Sequence, residues 1–278
     1  MHRKPRRLWA LSGANAGGIL VPMVDIHCHL LPGLDDGPES MEESVQMAEI
    51  ALADGITRVV ATPHANHEFS FDLERNLCVC RELADRLHGR LQLATGCDFH
   101  LSYENIEAAD ESPQRFAVNQ KNYLLVEFAD FALPPSLDDA LRRLQSAGLR
   151  LIITHPERNP LVRAAPERLL AWIESGCYAQ ITAQSLAGRF GSPARRAALE
   201  FLERSWVHFV ASDAHSRHSR PPLLRKAYEQ VASLHGPETA QALFCENPLA
   251  AWNGEPLPHV SEPQPVPAAA PRRRFFFF

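Results

Sequence analysis

The sequence predicts an α/β protein with a parallel sheet, curled into a closed and somewhat irregular barrel. Three observations lead there. Seven short apolar, β-branched runs alternate with helical patterns along the 278-residue chain. The runs are near-continuously apolar, which marks strands covered on both faces. No glycine-rich turn follows the first run, so the alternative, an open doubly wound sheet, lacks its usual start.

The elements follow in order. "MVDIHCH" (23–29) is the first strand. Ser40 followed by Glu43 reads as a capping box, and Gly55 closes the helix it opens. Met41, Val45, Ala48 and Leu52 share one face of that helix. "ITRVVATPH" (56–64) is the second strand, and Asp72 caps a helix running to about residue 88. "LQLATGCDF" (91–99) and "YLLVEFA" (123–129) are the third and fourth strands. Ser136 with Asp139 opens the next helix, ended by Gly148. "LRLIITHPE" (149–157) is the fifth strand. Pro166 suits the first turn of a helix that Gly176 ends. "CYAQITAQS" (177–185) and "VHFVASDAH" (207–215) are the last strands, with helical segments at 193–205, 221–235 and 237–245.

The domain expected from these elements spans 23–254. Residues 1–22 read as a disordered leader. Arg6–Arg7 resembles a twin-arginine signal only faintly, because Ser12, Gly13, Asn15, Gly17 and Gly18 break the apolar stretch such a signal needs. Residues 255–278 read as a floppy Pro/Ala-rich tail, and its four closing phenylalanines suggest no function. A net charge of −5 gives no reason to expect nucleic acid as a partner. No apolar run is long enough to cross a bilayer. The six cysteines form no C-x-x-C pair, so no disulfide framework is expected and a reducing cytoplasm is the expected location.

Chemistry gathers at the strand ends. His27 and His29 end the first run, His64 the second and Asp98 the third. Glu127 lies near the end of the fourth, His155 ends the fifth, and Asp213 and His215 end the seventh. In a parallel barrel all these ends meet at one rim. His-x-His on a strand places both rings on one face, because side chains alternate. Asp36, in the glycine-flanked loop "PGLDDG", can swing over the same rim. Five imidazoles and four carboxylates suit two or three divalent ions such as Mn, Fe, Co or Zn, and no thiolate is needed. A strand-end histidine alone is more often a packed, hydrogen-bonded residue, and Glu127 or Asp213 alone could be an ion-pair partner or a cap. Only their joint occurrence points to metal. Arg158, just past the fifth strand, and Arg220, just past the seventh, suit a phosphate, whose oxygens accept the guanidinium fork.

"MVDIHCHLLPGLDDGPES", "ATPH", "LLVEF", "THPER", "ASDAHSRHSRPP" and "ENPLAAWNGE" resemble the PHP (polymerase and histidinol phosphatase) family. Within it they most resemble the capsule-type CpsB/CapC protein-tyrosine phosphatases, over residues 23–254. The resemblance implies a distorted, TIM-like (β/α)7 barrel of the PHP type holding up to three divalent ions, often Mn2+. It implies one ion on His27, His29 and Asp213, with Asp98 bridging. It implies a second completed by Glu127 and His155, and a third on Asp36, His64 and His215. Arg158 and Arg220 match the arginines that bind substrate phosphate. The chain has Asp98 where the family usually has Glu, which shortens that bridging arm.

The expected activity is hydrolysis of phosphotyrosine by a metal-activated hydroxide. The implied partner is a phosphotyrosine protein, the tail of a bacterial tyrosine kinase controlling capsule or exopolysaccharide synthesis. A small-molecule phosphomonoesterase acting on histidinol phosphate or a nucleotide is the alternative. A polymerase-associated nuclease or a non-catalytic metal-binding module is disfavoured, for want of a basic groove and because the ligand set is full. Cys80 and Arg86 formally match the Cys-x5-Arg of thiolate phosphatases. The segment between them is helical in pattern and carries Glu82 and Asp85, which would repel a dianion. His67, His218, Phe69 and Tyr103 are candidates to touch substrate, while His88, His208 and His235 read as structural or exposed.

Overall fold

The computed structural model describes residues 22–266, so what is expected of 1–21 and 267–278 lies outside the described residues. The first half runs β1 (Met23–Cys28), α1 (Met41–Asp54), β2 (Ile56–Ala61), β3 (His64–Ala65), α2 (Leu73–Arg86), β4 (Gln92–Thr95), β5 (Asp98–His100) and α3 (Tyr103–Glu111). The chain continues through β6 (Tyr123–Glu127), α4 (Leu137–Ser146), β7 (Arg150–Thr154), α5 (Pro160–Ala164), α6 (Pro166–Glu174) and β8 (Tyr178–Thr182). It ends with α7 (Ala183–Leu186), α8 (Gly191–Glu203), β9 (Phe209–Ala211), α9 (Arg225–His235), α10 (Pro237–Gln241) and α11 (Asn247–Asn253).

All seven expected strands form, and every pairing is parallel. The second and third are each broken once. Pro63, which has no N–H to offer a ladder, parts β2 from β3. Gly96 and Cys97 part β4 from β5. A Cβ on Gly96 would stand 3.1 Å from Val60 Cγ1, so a side chain there would press on its neighbour. The two breaks lie side by side and divide the strands into sheets β1-β2-β4 and β3-β5-β6-β7-β8-β9. Hydrogen bonds cross the gaps: Gly96 N–H donates to Ala61 O (2.9 Å) and Asp98 N–H to Pro63 O (3.1 Å). Between β9 and β1, Cys28 bridges Ala214, His29 N–H donates to Ala214 O and Asp213 N–H to His27 O (both 2.8 Å).

The alternation of strand side chains sorts the core. On β6, Tyr123 and Leu125 join Ile152 and Phe209 in one cluster, while Leu124 and Val126 pack in the other, larger cluster with helix residues such as Leu141 and Leu144. Glu127 continues the row of Tyr123 and Leu125, two residues on.

Most helix boundaries follow local rules. Ser40 accepts from Glu43 N–H, and Gly55 takes the left-handed conformation (φ 96°) that closes α1. Asp72 accepts from Arg75 N–H at the start of α2. Ser136 does not cap α4: it is itself helical, with no side-chain hydrogen bond to that turn. α3 escaped the periodicity reading, although Ser102 caps it through Asn105 N–H. Pro221 and Pro222 delay α9 to Arg225, and Asp54 of α1 caps it from a distance, accepting from Leu224 and Arg225 N–H (2.6 and 2.8 Å). The last helical segment runs past 245. A wide π turn at Ala242–Glu246 leads into α11, whose first turn holds Pro248.

Residues 255–266 form no helix or strand, yet they are tied down, unlike the floppy tail expected from 255. Tyr123 OH donates to Glu255 O (2.7 Å), Trp206 Nε1–H to Gln264 O (2.8 Å) and Gln264 N–H to Arg204 O (2.9 Å). A buried indole needs an acceptor, and the tail supplies one.

Candidate active site

All nine residues singled out as ligands come together at the C-terminal ends of the strands. His27 Nε2 and His29 Nε2 lie 3.3 Å apart. Asp98 Oδ2 stands 3.4 Å from His27 Nε2 and 3.3 Å from His64 Nδ1. Glu127 reaches His64 Nδ1 (3.5 Å) and His155 Nε2 (3.6 Å). Asp36, half exposed on its loop, reaches His64 Nε2 (3.5 Å) and His215 Nε2 (3.4 Å). Asp213 Oδ1 is 3.5 Å from His27 and 3.6 Å from both His29 and His215.

Three sets have donor atoms all within 4.8 Å of one another: His29–Asp36–His64–His215, His27–His29–Asp98, and His64–Asp98–Glu127. The sets overlap at His29, His64 and Asp98, and of these the two-oxygen carboxylate of Asp98 is the one suited to serve two adjacent ions. His155 and Asp213 fall in none of the three, although each lies next to a member. The residues fit divalent cations on a further ground. Both carboxylate oxygens of fully buried Asp98, and His64 Nδ1, have no hydrogen-bond partner among the described residues. Buried polar atoms left that way are costly unless something charged meets them.

Charge balance says the same. Burial opposes a proton on His27 and His64, but the carboxylates around them outweigh it and raise them to about 9 and 10. Burial, with the Asp98 charge, pushes Glu127 up to about 8. Protons thus stand where cations would relieve the same repulsion, and binding a cation displaces them. Burial and the His215 imidazole push His29 down to about 4, so it presents a neutral ring.

Three residues that the sequence reading missed hold this cluster. Asp35, the other half of the "DD" pair, bonds His29 Nδ1 (2.5 Å) and accepts from His64 N–H (3.1 Å) and Gly37 N–H (2.9 Å). Gln180 accepts from His27 Nδ1–H (2.9 Å). These contacts leave each Nε2 facing the centre, as partners behind metal-ligating histidines do. Gly37 allows the loop its close approach, since a Cβ there would meet His29 O at 2.8 Å.

Phe190 is the third. Arg158 and Arg220 both reach the outer oxygen of Asp213, Arg220 at 2.5 Å. Both guanidinium groups also lie over the Phe190 ring, at 4.4 and 5.6 Å from its centroid. One carboxylate and one aromatic face therefore hold two cations side by side. Nothing in the sequence pattern pointed to this phenylalanine. His155 (φ 32°) and Asp213 (φ 49°) are held in the left-handed region, strain of the kind that collects at functional sites.

The remaining expectations sort cleanly. Cys80 is buried inside α2, burial pushes its thiol up to about 11, and Arg86 pairs with Glu42 and Glu82, so no thiolate site forms there. Phe69 stacks on the His64 ring (6.2 Å, 16°). His67 is exposed on its loop, and Tyr103 lies on α3 beside a cavity that reaches Glu127. His208 is a buried structural residue accepting from Ala179 N–H.

Residues 23–252 match the family described as capsular polysaccharide synthesis, CpsB/CapC. The tyrosine-protein phosphatase YwqE of Bacillus subtilis is 33% identical over 92% of this chain and 100% of its own. The tyrosine-protein phosphatase CpsB of Streptococcus pneumoniae is 30% identical over 81% of this chain and 96% of its own. A solved chain from the crystal structures of YwqE from B. subtilis and CpsB from S. pneumoniae, described as metal-dependent tyrosine phosphatases, is 33% identical. It superposes with a TM-score of 0.78 over 88% of this chain and 100% of that chain. With its histidines, carboxylates and arginine pair gathered where parallel strands end, this chain belongs to the CpsB/CapC family.

Proposed function

We propose that this chain is a metal-dependent protein-tyrosine phosphatase. One observation carries the reading: four imidazoles and three carboxylates form overlapping sets, His155 and Asp213 stand next to them, and two arginines are held on Asp213. His27, His29, Asp36, His64, Asp98, Glu127, His155, Asp213 and His215 would hold two or three divalent ions, Mn2+ first among the candidates. Such ions lower the pKa of a water and offset phosphate charge.

The chain's own residues do the rest. Arg158 and Arg220 take the phosphate oxygens, a geometry suited to their planar forks. Asp213 joins the two halves, one oxygen toward the histidines and the other toward the arginines. Asp35 and Gln180 fix the tautomers of His29 and His27. Tyrosine, with a pKa of about 10, leaves as a phenolate more readily than an alkoxide would.

The two sheets are taken to act as one closed barrel, supported by the hydrogen bonds between β9 and β1. Among the described residues no helix is long and apolar enough to cross a membrane, in keeping with the proposed cytoplasmic location. The proposed substrate is the phosphorylated tail of a bacterial tyrosine kinase governing capsule or exopolysaccharide synthesis, a role in keeping with the family description.

The test is turnover of a phosphotyrosine peptide against histidinol phosphate and a nucleotide monophosphate, before and after chelation. The peptide is expected to be hydrolysed fastest, EDTA to abolish activity and Mn2+ to restore it. Undiminished turnover in excess EDTA would overturn the reading.

A further inference from the structure

A cavity of about 560 Å³ opens between α3 and α4, and Glu127 is among the residues that line it. That volume is within the range of small-ligand sites. Leu101, Ile106, Phe128 and Pro134 line it, and Tyr103 and Phe131 stand at it largely exposed, at 66% and 88%. Two large aromatics left in water at one cavity are unusual for a monomer surface and mark a place where something apolar binds.

The charged residues of the cavity have partners outside its lining. Arg143 of α4 pairs with Asp110 of α3, and Asp139 pairs with Arg142. Glu127 faces His64 and His155 in the candidate metal cluster. Beyond these pairs the wall carries one further polar ring, His100, and is otherwise mainly apolar, and Glu127 joins it to the place where phosphate chemistry is proposed.

We propose that this cavity is a specificity subsite taking a large apolar or aromatic side chain next to the phosphotyrosine of a peptide substrate, with Tyr103 and Phe131 as its clamp. The inference rests on the phosphatase reading and deepens it. A phosphotyrosine seated at the cluster places its neighbours in the peptide at the cavity mouth, beside Glu127 and Phe128. The aromatic pair covers an apolar neighbour and leaves a glycine or serine uncovered.

The test uses the full chain with Mn2+ and two phosphotyrosine peptides. One carries leucine and the other glycine on both sides of the phosphotyrosine. The leucine peptide is expected to have a kcat/KM about tenfold higher, carried mainly by KM, as burial of one apolar side chain allows. The double substitution Tyr103→Ala, Phe131→Ala is expected to bring that ratio close to one; both residues are exposed, so the fold does not depend on them. Equal kcat/KM for the two peptides in the unaltered protein, with robust turnover of both, overturns the subsite and leaves the phosphatase reading standing. A ratio that survives the double substitution also overturns it. Turnover of neither peptide overturns both.

Discussion

Asp98 lies at the centre of the overlapping ligand sets. It is fully buried, neither oxygen has a hydrogen-bond partner among the described residues, and it belongs to two of the three ligand sets. Even with an arm one methylene shorter than the family's usual glutamate, it stands within 3.4 Å of two histidines. Asp98→Asn keeps the shape and removes the charge. It is expected to lower the metal content of the purified protein and weaken Mn2+ affinity by about 100-fold or more, since even a group standing behind a ligand costs about 10–100-fold when lost. Elemental analysis showing a full complement would count against its role. Phe190 offers a second test at this scale. Its ring supports both arginines, which are three-quarters covered, at about 1 kcal/mol for each cation–π contact. Phe190→Ala is expected to lower kcat/KM for phenyl phosphate about fivefold, and Phe190→Tyr to restore it. Unaltered kinetics in the alanine variant would remove the ring from the phosphate site.

Among the elements, β8 and β9 meet at a buried histidine that titrates apart from the cluster. His208 Nδ1 accepts from Ala179 N–H (3.2 Å), which requires a neutral ring, and burial lowers its pKa to about 4. The unfolded chain takes up that proton near the ordinary value of 6.5. His208 therefore favours the folded state fully above pH 6.5, and this contribution is lost as pH falls toward 4. The loss amounts to roughly 3 kcal/mol, since each tenfold change in proton affinity is worth about 1.4 kcal/mol. In His208→Asn, where an amide oxygen can accept the same bond, melting temperature between pH 6.5 and 4 is expected to fall less steeply than in the unaltered protein. Parallel curves would show that His208 does not carry this acid limb.

For the molecule as a whole, the segment after Gly254 is part of the packing. Glu255, His259 and Gln264 bond to Tyr123, Asn247 and Trp206, and Val266 packs on the core. A chain of residues 23–266 keeps all of these contacts and serves as the reference. A chain of 23–254 is expected to lose about 4 kcal/mol or more, at roughly 1 kcal/mol for each hydrogen bond lost. Calorimetry of the two truncations checks this, and equal melting temperatures would return the boundary to 254.

The sequence alone determined the alternation of strands and helices and the positions of the nine candidate ligands, eight at strand ends and Asp36 on a loop. Both are local patterns: apolar runs, caps, prolines, and a chemistry-bearing residue where each run stops. Tertiary structure decided what no local pattern encodes. Whether Asp35 or Asp36 faces the rim depends on a loop that only Gly37 lets approach His29. Gln180 and Phe190 acquire their roles from partners far along the chain or on another strand's loop. The break of two neighbouring strands into two sheets, and the anchoring of 255–266 on Trp206, likewise depend on contacts distant in the chain. Such contacts are fixed by packing and hydrogen bonding in space, and they leave no periodicity in the order of residues.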